Sequence, residues 1–203
     1  DDPSMPEVRR RGDGVVYAMG GSRDFVAQEV LPTIRYMLRL GPKPCRYALF
    51  SEKRLVWGMS LAEGELLRSL FDIITTYEEV ALPAFHSKEL THMRVRVKAI
   101  KAHALLFAPF ERFVFLDFDS RPCSADFALQ LFDRLDGVDA LLHNQWPHQG
   151  FLDIDKHLRI EHNSAIAVFD ARRLHAQRAL LLFVSAFELM EPRRGQPPLL
   201  VAL

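Results

Sequence analysis

Apolar residues recur along the chain at two different spacings. Gly14-Val15-Val16-Tyr17-Ala18-Met19 is a short, β-branched apolar run ended by Gly20-Gly21, the pattern of a buried strand entering a loop. Val26, Val30, Ile34 and Leu38 then recur four apart and predict one face of a helix, closed by Gly41 and Pro42. Pro32 falls inside that pattern and predicts a kink or a late helix start, because proline lacks the N–H and crowds the preceding turn. Residues 46–50 read as a second strand, 61–70 as a short helix and 71–75 as a third strand. A helix is predicted over 95–108, with Val97, Ile100, Ala104 and Ala108 on one face and Pro109 ending it. Phe113-Val114-Phe115-Leu116 is a continuous apolar run, as expected of a central strand covered on both faces. Ser124 is placed to cap a helix running to Leu135, followed by strands at 138–142 and 165–169. A long helix is expected over 171–190, and Pro197-Pro198 opens a last one. Strands separated by helices predict an α/β fold, a mostly parallel sheet flanked by helices on both faces.

Composition narrows the picture. The chain is 49% hydrophobic and 26% charged, with Lys+Arg 26 balanced by Asp+Glu 26. The apolar share excludes a disordered chain, and a net charge of zero argues against a protein built to grip nucleic acid. No apolar run approaches the roughly 18 residues of a membrane span, and no signal peptide opens the sequence. Residues 1–12 read as a linker, with Arg9-Arg10-Arg11 a solvated charge run, and 13–203 as one domain cut short at its carboxyl terminus. A chain that begins at Asp1 is expected to be an excised piece, with room for an anchor or targeting segment upstream. Cys45 and Cys123 have no metal or redox spacing and are expected to be buried free thiols. Residues 143–162 form the longest stretch without clean periodicity; His143, His148, His157 and His162 lie in it without the paired spacing of a zinc site.

The sharpest chemical signal is Phe113-Val114-Phe115-Leu116-Asp117-Phe118-Asp119-Ser120, a core strand running directly into two carboxylates. Period-two geometry lets Asp117 and Asp119 point to the same side at the strand's carboxyl end, where open α/β sheets bind ligands. Two hard oxygen ligands suit Mg²⁺ or Mn²⁺, with a substrate diphosphate supplying further oxygens and the ion neutralising charge on a leaving group. An exposed acid pair after a core strand is the plain alternative. Asp153 and Asp155 form a second Asp-x-Asp, but the apolar run before it is short. Gly20 and Gly21 allow close approach of backbone to a ligand, or simply make a turn.

The apolar strand followed by Asp-x-Asp, preceded by Lys98-Ala99-Ile100-Lys101-Ala102 and Pro109-Phe110-Glu111-Arg112, resembles the GT-A-fold nucleotide-diphospho-sugar glycosyltransferases, the glycogenin-like and related families. The resemblance runs from Gly14 to Leu203 and implies a GT-A-type, Rossmann-like sheet. It implies a metal-dependent transferase, with Mn²⁺ or Mg²⁺ held by Asp117 and Asp119, that moves a hexosyl or related group from a UDP-sugar to a carbohydrate, protein or lipid acceptor, with retention. Lys101, sixteen residues before Asp117, and Lys98 one turn earlier match the basic residues that reach the nucleotide-sugar. Ala18, Met19, Gly20, Gly21 and Arg23 match the segment that holds base and ribose, and Phe118 and, more weakly, Asp72 join the donor-binding set. His162-Asn163-Ser164-Ala165 resembles an Asn-Ser-Gly segment, so that Asn163 and Ser164 contact the donor sugar, with Ala165 in place of the usual glycine. Gly195-Gln196-Pro197 resembles an Asp-Gln step, Gln196 being retained and Gly195 standing where relatives place a carboxylate. A third metal ligand, often a histidine, would lie beyond Leu203. Trp146 suits either stacking on an acceptor sugar or plain packing. An inverting enzyme would need a carboxylate base near the acceptor, for which Glu161 and Asp170 are the candidates. The resemblance implies the Golgi lumen for a eukaryotic chain with an upstream anchor, and the cytoplasm for a bacterial one.

Two rivals remain at this level. The same Phe-Leu-Asp-Phe-Asp phrase resembles the first motif of haloacid-dehalogenase-type phosphatases, with Asp117 as nucleophile. That family carries it early in the chain, whereas here about a hundred residues precede it. The non-enzyme rival is a catalytically inactive nucleotide-sugar-binding module on the same fold, which Gly195 keeps open.

Overall fold

Every central strand divides its side chains between two cores, as period-two geometry requires. In β1 (Asp13–Met19), Val15, Tyr17 and Met19 enter one core, and Val16 and Ala18 the other. In β4 (Arg112–Leu116), Val114 and Leu116 join the first core, and Phe113 and Phe115 the second. A strand buried on both faces has to be apolar at successive positions, which is why these segments read as unbroken runs. The computed structural model describes residues 9–76, 100–101, 103–135, 137–138, 140–145 and 161–173, with backbone alone at 142–145 and 161–165.

With β2 (Arg46–Ser51), β3 (Ile73–Thr76), β5 (Ala140–Gln145) and β6 (Glu161–Asp170), these strands form a six-stranded sheet of order β3-β2-β1-β4-β6-β5. The first four strands are parallel; β6 runs antiparallel to both β4 and β5. The sheet is therefore mixed at one side rather than parallel throughout. The strand order also reverses beside β1, since β2 and β3 lie to one side of it and β4 to the other. Crevices at such reversals, outside the carboxyl ends of the strands, are where open α/β sheets take ligands.

The first core lies under one helical layer. It is made by α1 (Arg23–Phe25), a π turn (Val26–Val30), α2 (Leu31–Leu40), α4 (Leu61–Leu70) and α5 (Phe127–Asp133), while the short α3 (Lys53–Trp57) contributes Leu55. Ile100, Ala104, Leu105, Ala108 and Phe110 cover the opposite face, and residues 100–101 and 103–106 are helical as expected. Pro32 produces the expected break as a widened turn. Leu31 donates its N–H to Val26 five residues back, which relieves the crowding that the proline ring imposes on the preceding turn.

Several expectations change. Steps of four drift about 40° per turn from a 3.6-residue helix, so Met37 returns to the buried face while Leu38 is 39% exposed. Ser124 does not cap a helix; it hydrogen-bonds Asp126, which is itself the residue before α5. β5 starts two residues later than expected, and β6 starts at Glu161, so Asn163 and Ser164 lie within the strand and not ahead of it. Cys45 is half-buried and Cys123 exposed, both as free thiols. Arg10 is not a solvated charge: its guanidinium donates to the Leu106 carbonyl at 2.9 Å. Arg11 N–H bonds the Pro109 carbonyl, tying this part of the expected linker to the domain. Residues 171–173 form a turn, and most of the expected 171–190 helix lies outside the described residues, as do the helix start at 95–99 and Pro197-Pro198. Among the described residues no helix is long and apolar enough to cross a membrane.

Candidate active site

The carboxyl edge of the parallel strands gathers three pieces of the site. β1 runs into Gly20-Gly21, where Gly21 takes φ 107°, a conformation that disfavours any side chain. This loop is clamped by residues that follow β2. The Glu52 carboxylate, 3% exposed, accepts from Gly21 N–H at 3.1 Å and from the Arg54 guanidinium, while Arg54 donates to the Gly21 carbonyl at 2.6 Å. Glu52 N–H also bonds the Met19 carbonyl at 3.2 Å. Met19 is fully buried and Ala18 nearly so, with the Met19 carbonyl already taken by Glu52 N–H, so neither side chain offers a surface to a ligand.

Beside it, Tyr17 of β1 pairs with Leu116 of β4, and the chain leaves β4 in a tight turn. Ser120 N–H bonds the Asp117 carbonyl at 3.0 Å, closing a four-residue turn over 117–120. Asp117 and Asp119 are therefore brought together by a turn and not by continued strand alternation. Phe118 points down from it, 2% exposed, with its ring 4.9 Å from that of Tyr17 and 6.3 Å from that of Phe71. Its side chain fixes the turn from beneath and offers no surface to a donor, contrary to its expected role. Two residues of α2 hold the same segment from above: Thr33 Oγ1 donates to the Phe118 carbonyl at 2.7 Å, and Tyr36 Oη to the Pro122 carbonyl at 2.6 Å.

Lys101 is the third piece. Its Nζ lies 2.5 Å from Asp117 Oδ2, with the two side chains only 22% and 15% exposed. Burial pushes the Asp117 carboxyl above its ordinary value; Lys101 opposes that shift and the neighbouring Asp119 charge adds to it. Asp119 itself is exposed. Two adjacent carboxylates, one already carrying an ammonium, are a donor set whose chemistry fits a divalent cation. Among the described residues no group of three or more His, Cys, Asp or Glu comes together.

On the other side of β4, Ile166 of β6 pairs with Leu116. Asn163 and Ser164 lie three and two residues before Ile166 in an antiparallel strand, which places them at the same edge as the Asp117–Ser120 turn. Asp72 is not there. It precedes β3 at the opposite, amino edge, where it accepts from Lys43 Nζ at 2.9 Å and from Tyr47 N–H at 2.8 Å. Asp170 ends the antiparallel β6 at that same far edge, opposite Arg112, buried and gripped by Arg172. It is not a base for this site. Arg23 stands at the start of α1 and pairs with Glu63 of α4 at 2.9 Å. Lys98, Gln196, Trp146, Asp153 and Asp155 lie outside the described residues.

A cavity of about 320 Å³ also opens at the amino edge, walled by Arg112, Phe132, Leu135, Asp170 and Arg172. Arg112 is forked onto Asp13, and Arg172 onto Asp170. With its charges matched internally and the reversal of strand order leading to the other edge, this cavity is not where the chemistry gathers.

The sheet order, the glycine loop and the acidic turn can be compared with known proteins. No family model and no curated protein matches the sequence. Among solved structures, the glycosyltransferase GlyE of Streptococcus pneumoniae TIGR4 in its apo form matches with TM-score 0.52 at 14% identity, over 93% of this chain and 41% of that one. A second GlyE structure gives 0.50 at 13% identity, again over 93% and 41%. The apo form of mouse xyloside xylosyltransferase 1 gives 0.49 at 12% identity, over 88% and 71%. The chain has a GT-A fold. It spans less than half the length of the GlyE chains, and at these identities the likeness concerns the fold alone.

Within the GT-A frame, the expected Asp117, Asp119, Lys101, Gly20 and Gly21 come together at one edge, with the backbone of Asn163 and Ser164. Glu52, Arg54, Thr33 and Tyr36 were not anticipated. For Glu52 a signal existed: it directly follows the apolar β2 at the edge where Gly20-Gly21 follows β1. Thr33 and Tyr36 carry no such mark, because their role depends on how α2 crosses the 117–122 segment.

Proposed function

We propose that the protein is a glycosyltransferase that moves a hexosyl or related group from a nucleotide-diphosphate sugar, a UDP-sugar, to an acceptor. The observation that carries this reading is the Asp117–Ser120 turn, with Lys101 on Asp117, beside the clamped Gly20-Gly21 loop where the strand order reverses. The fold shared with GlyE supports it. Asp117 and Asp119 hold Mn²⁺ or Mg²⁺, which when bound supplies charge stabilisation to a departing diphosphate. Lys101, with Lys98, offsets phosphate charge. The loop of Gly20 and Gly21, continuing from Ala18 and the buried Met19, passes close to the nucleoside, and Arg23 lies at that side. Asn163, Ser164 and Gln196 orient the donor sugar.

Catalysis on this reading rests on positioning and leaving-group stabilisation, which suits retention because no dedicated base is required. The acceptor is a carbohydrate, protein or lipid. Isothermal titration of UDP with and without Mn²⁺ tests the assignment. Wild-type protein is expected to bind UDP when Mn²⁺ is present, and the Asp117→Asn/Asp119→Asn variant to lose that binding. UDP binding that is the same in both proteins, or absent from both, contradicts it.

A further inference from the structure

We propose that Lys101 is the resident counter-cation of the acidic turn, keeping a divalent ion out until a nucleotide diphosphate draws the ammonium away. The inference rests on the transferase reading above and adds an order of events to it. Lys101 Nζ sits 2.5 Å from Asp117 Oδ2, at the position a ligated ion would need to share. Both side chains are largely enclosed, so salt screens the pair far less than it would screen one in open solvent. The helical segment that presents Lys101 is anchored by Ile100 and Ala104 in the second core, which holds the ammonium over the turn. Asp119, exposed, has no ion pair among the described residues, so Asp117 is the carboxylate under control.

Charge counting gives the direction. Two carboxylates and one ammonium leave a single negative charge, too little to favour a divalent ion that must also displace the ammonium from an oxygen. A diphosphate brings further negative charge to the same edge. The ammonium then gains a second anionic partner, Asp117 Oδ2 is released, and ion and nucleotide strengthen each other's binding by equal factors.

The test is a Mn²⁺ titration, followed by the electron paramagnetic resonance signal of the free ion. Wild type, Lys101→Met and Lys101→Arg are each titrated alone and with UDP, after thermal melts establish that each is folded. Because UDP also ligates Mn²⁺ directly, the deciding readout is Mn²⁺ affinity without nucleotide. Lys101→Met is expected to bind Mn²⁺ about tenfold more tightly than wild type, within the usual range of such couplings, and Lys101→Arg to stay near wild type. Unchanged or weaker Mn²⁺ binding by Lys101→Met, while wild type binds Mn²⁺ together with UDP, overturns the inference and leaves the transferase reading intact. UDP binding that needs Lys101 but no Mn²⁺ also overturns it, making the lysine a permanent counter-charge. Wild type that binds neither ligand overturns both.

Discussion

Glu52 shows how much a single side chain carries at this edge. It is buried, yet it accepts from both Gly21 N–H and the Arg54 guanidinium, so the glycine loop is held by a charged group with little access to water. Removing it strands a backbone donor and half of an ion pair. Such losses cost about 1–3 kcal/mol each when the group left behind is buried; Arg54 is half exposed and lessens the total. Glu52→Ala is therefore expected to lower the free energy of unfolding by about 1–3 kcal/mol in a denaturant titration, and to weaken nucleotide binding along with it. Unchanged stability would remove Glu52 from the account. Asp117 and Asp119 were legible in the sequence because a core strand ran straight into them. What brings them together was not, since a turn closed by Ser120 N–H and pinned by Thr33 from 85 residues away leaves no trace in spacing.

At the scale of elements, α4 is set by its own sequence. Ser60 Oγ accepts from Glu63 N–H at 3.3 Å and the Glu63 carboxylate accepts from Ser60 N–H at 2.7 Å, a reciprocal cap that satisfies two donors no helical carbonyl reaches. The Glu63 carboxyl is held down to about 2 from an ordinary 4.5, chiefly by Ser60 N–H and then by Arg23 and the Ser60 hydroxyl. A carboxyl lowered in the folded state adds stability that is fully present above its ordinary value and is lost as pH falls through the lowered one. Between pH 4.5 and 2, wild type is therefore expected to lose stability faster than Glu63→Gln, which keeps a cap but does not titrate there. Parallel pH profiles would show that the cap carries no such charge. The ends of this helix were readable because capping is local. The phase of α2 was not: the π turn before Pro32 and the 3.6-residue repeat together turn Met37 inward and Leu38 outward, and a rule of fours misses both.

Across the whole molecule, both edges of the sheet are charged, but on different structures. The amino edge is tied by ion pairs, Arg112 with Asp13, Lys43 with Asp72 and Arg172 with Asp170, each with its carboxylate at or next to a strand end. The carboxyl edge carries the Lys101–Asp117 and Glu52–Arg54 pairs and the exposed Asp119, on a loop and a turn that packing holds in place. The alternation of strands and helices predicted the α/β class, because burial on both faces enforces apolar runs. It could not show that β6 turns antiparallel, since direction is set by where the connection returns. That one fact sends Asp170 to the amino edge and brings Asn163 and Ser164 to the carboxyl edge beside the acidic turn. Asp72 misled for a related reason, as it precedes its strand instead of following it.

The central claim is that the carboxyl edge transfers a sugar from a nucleotide-diphosphate donor. It is tested most directly by incubating the protein with a panel of UDP-sugars and Mn²⁺ and measuring released UDP, beside Asp119→Asn. The account predicts UDP release from at least one donor by the wild type and its loss in a variant that remains folded. Release that Asp119→Asn leaves unchanged, or no release from any donor by a wild type that binds UDP, would contradict it.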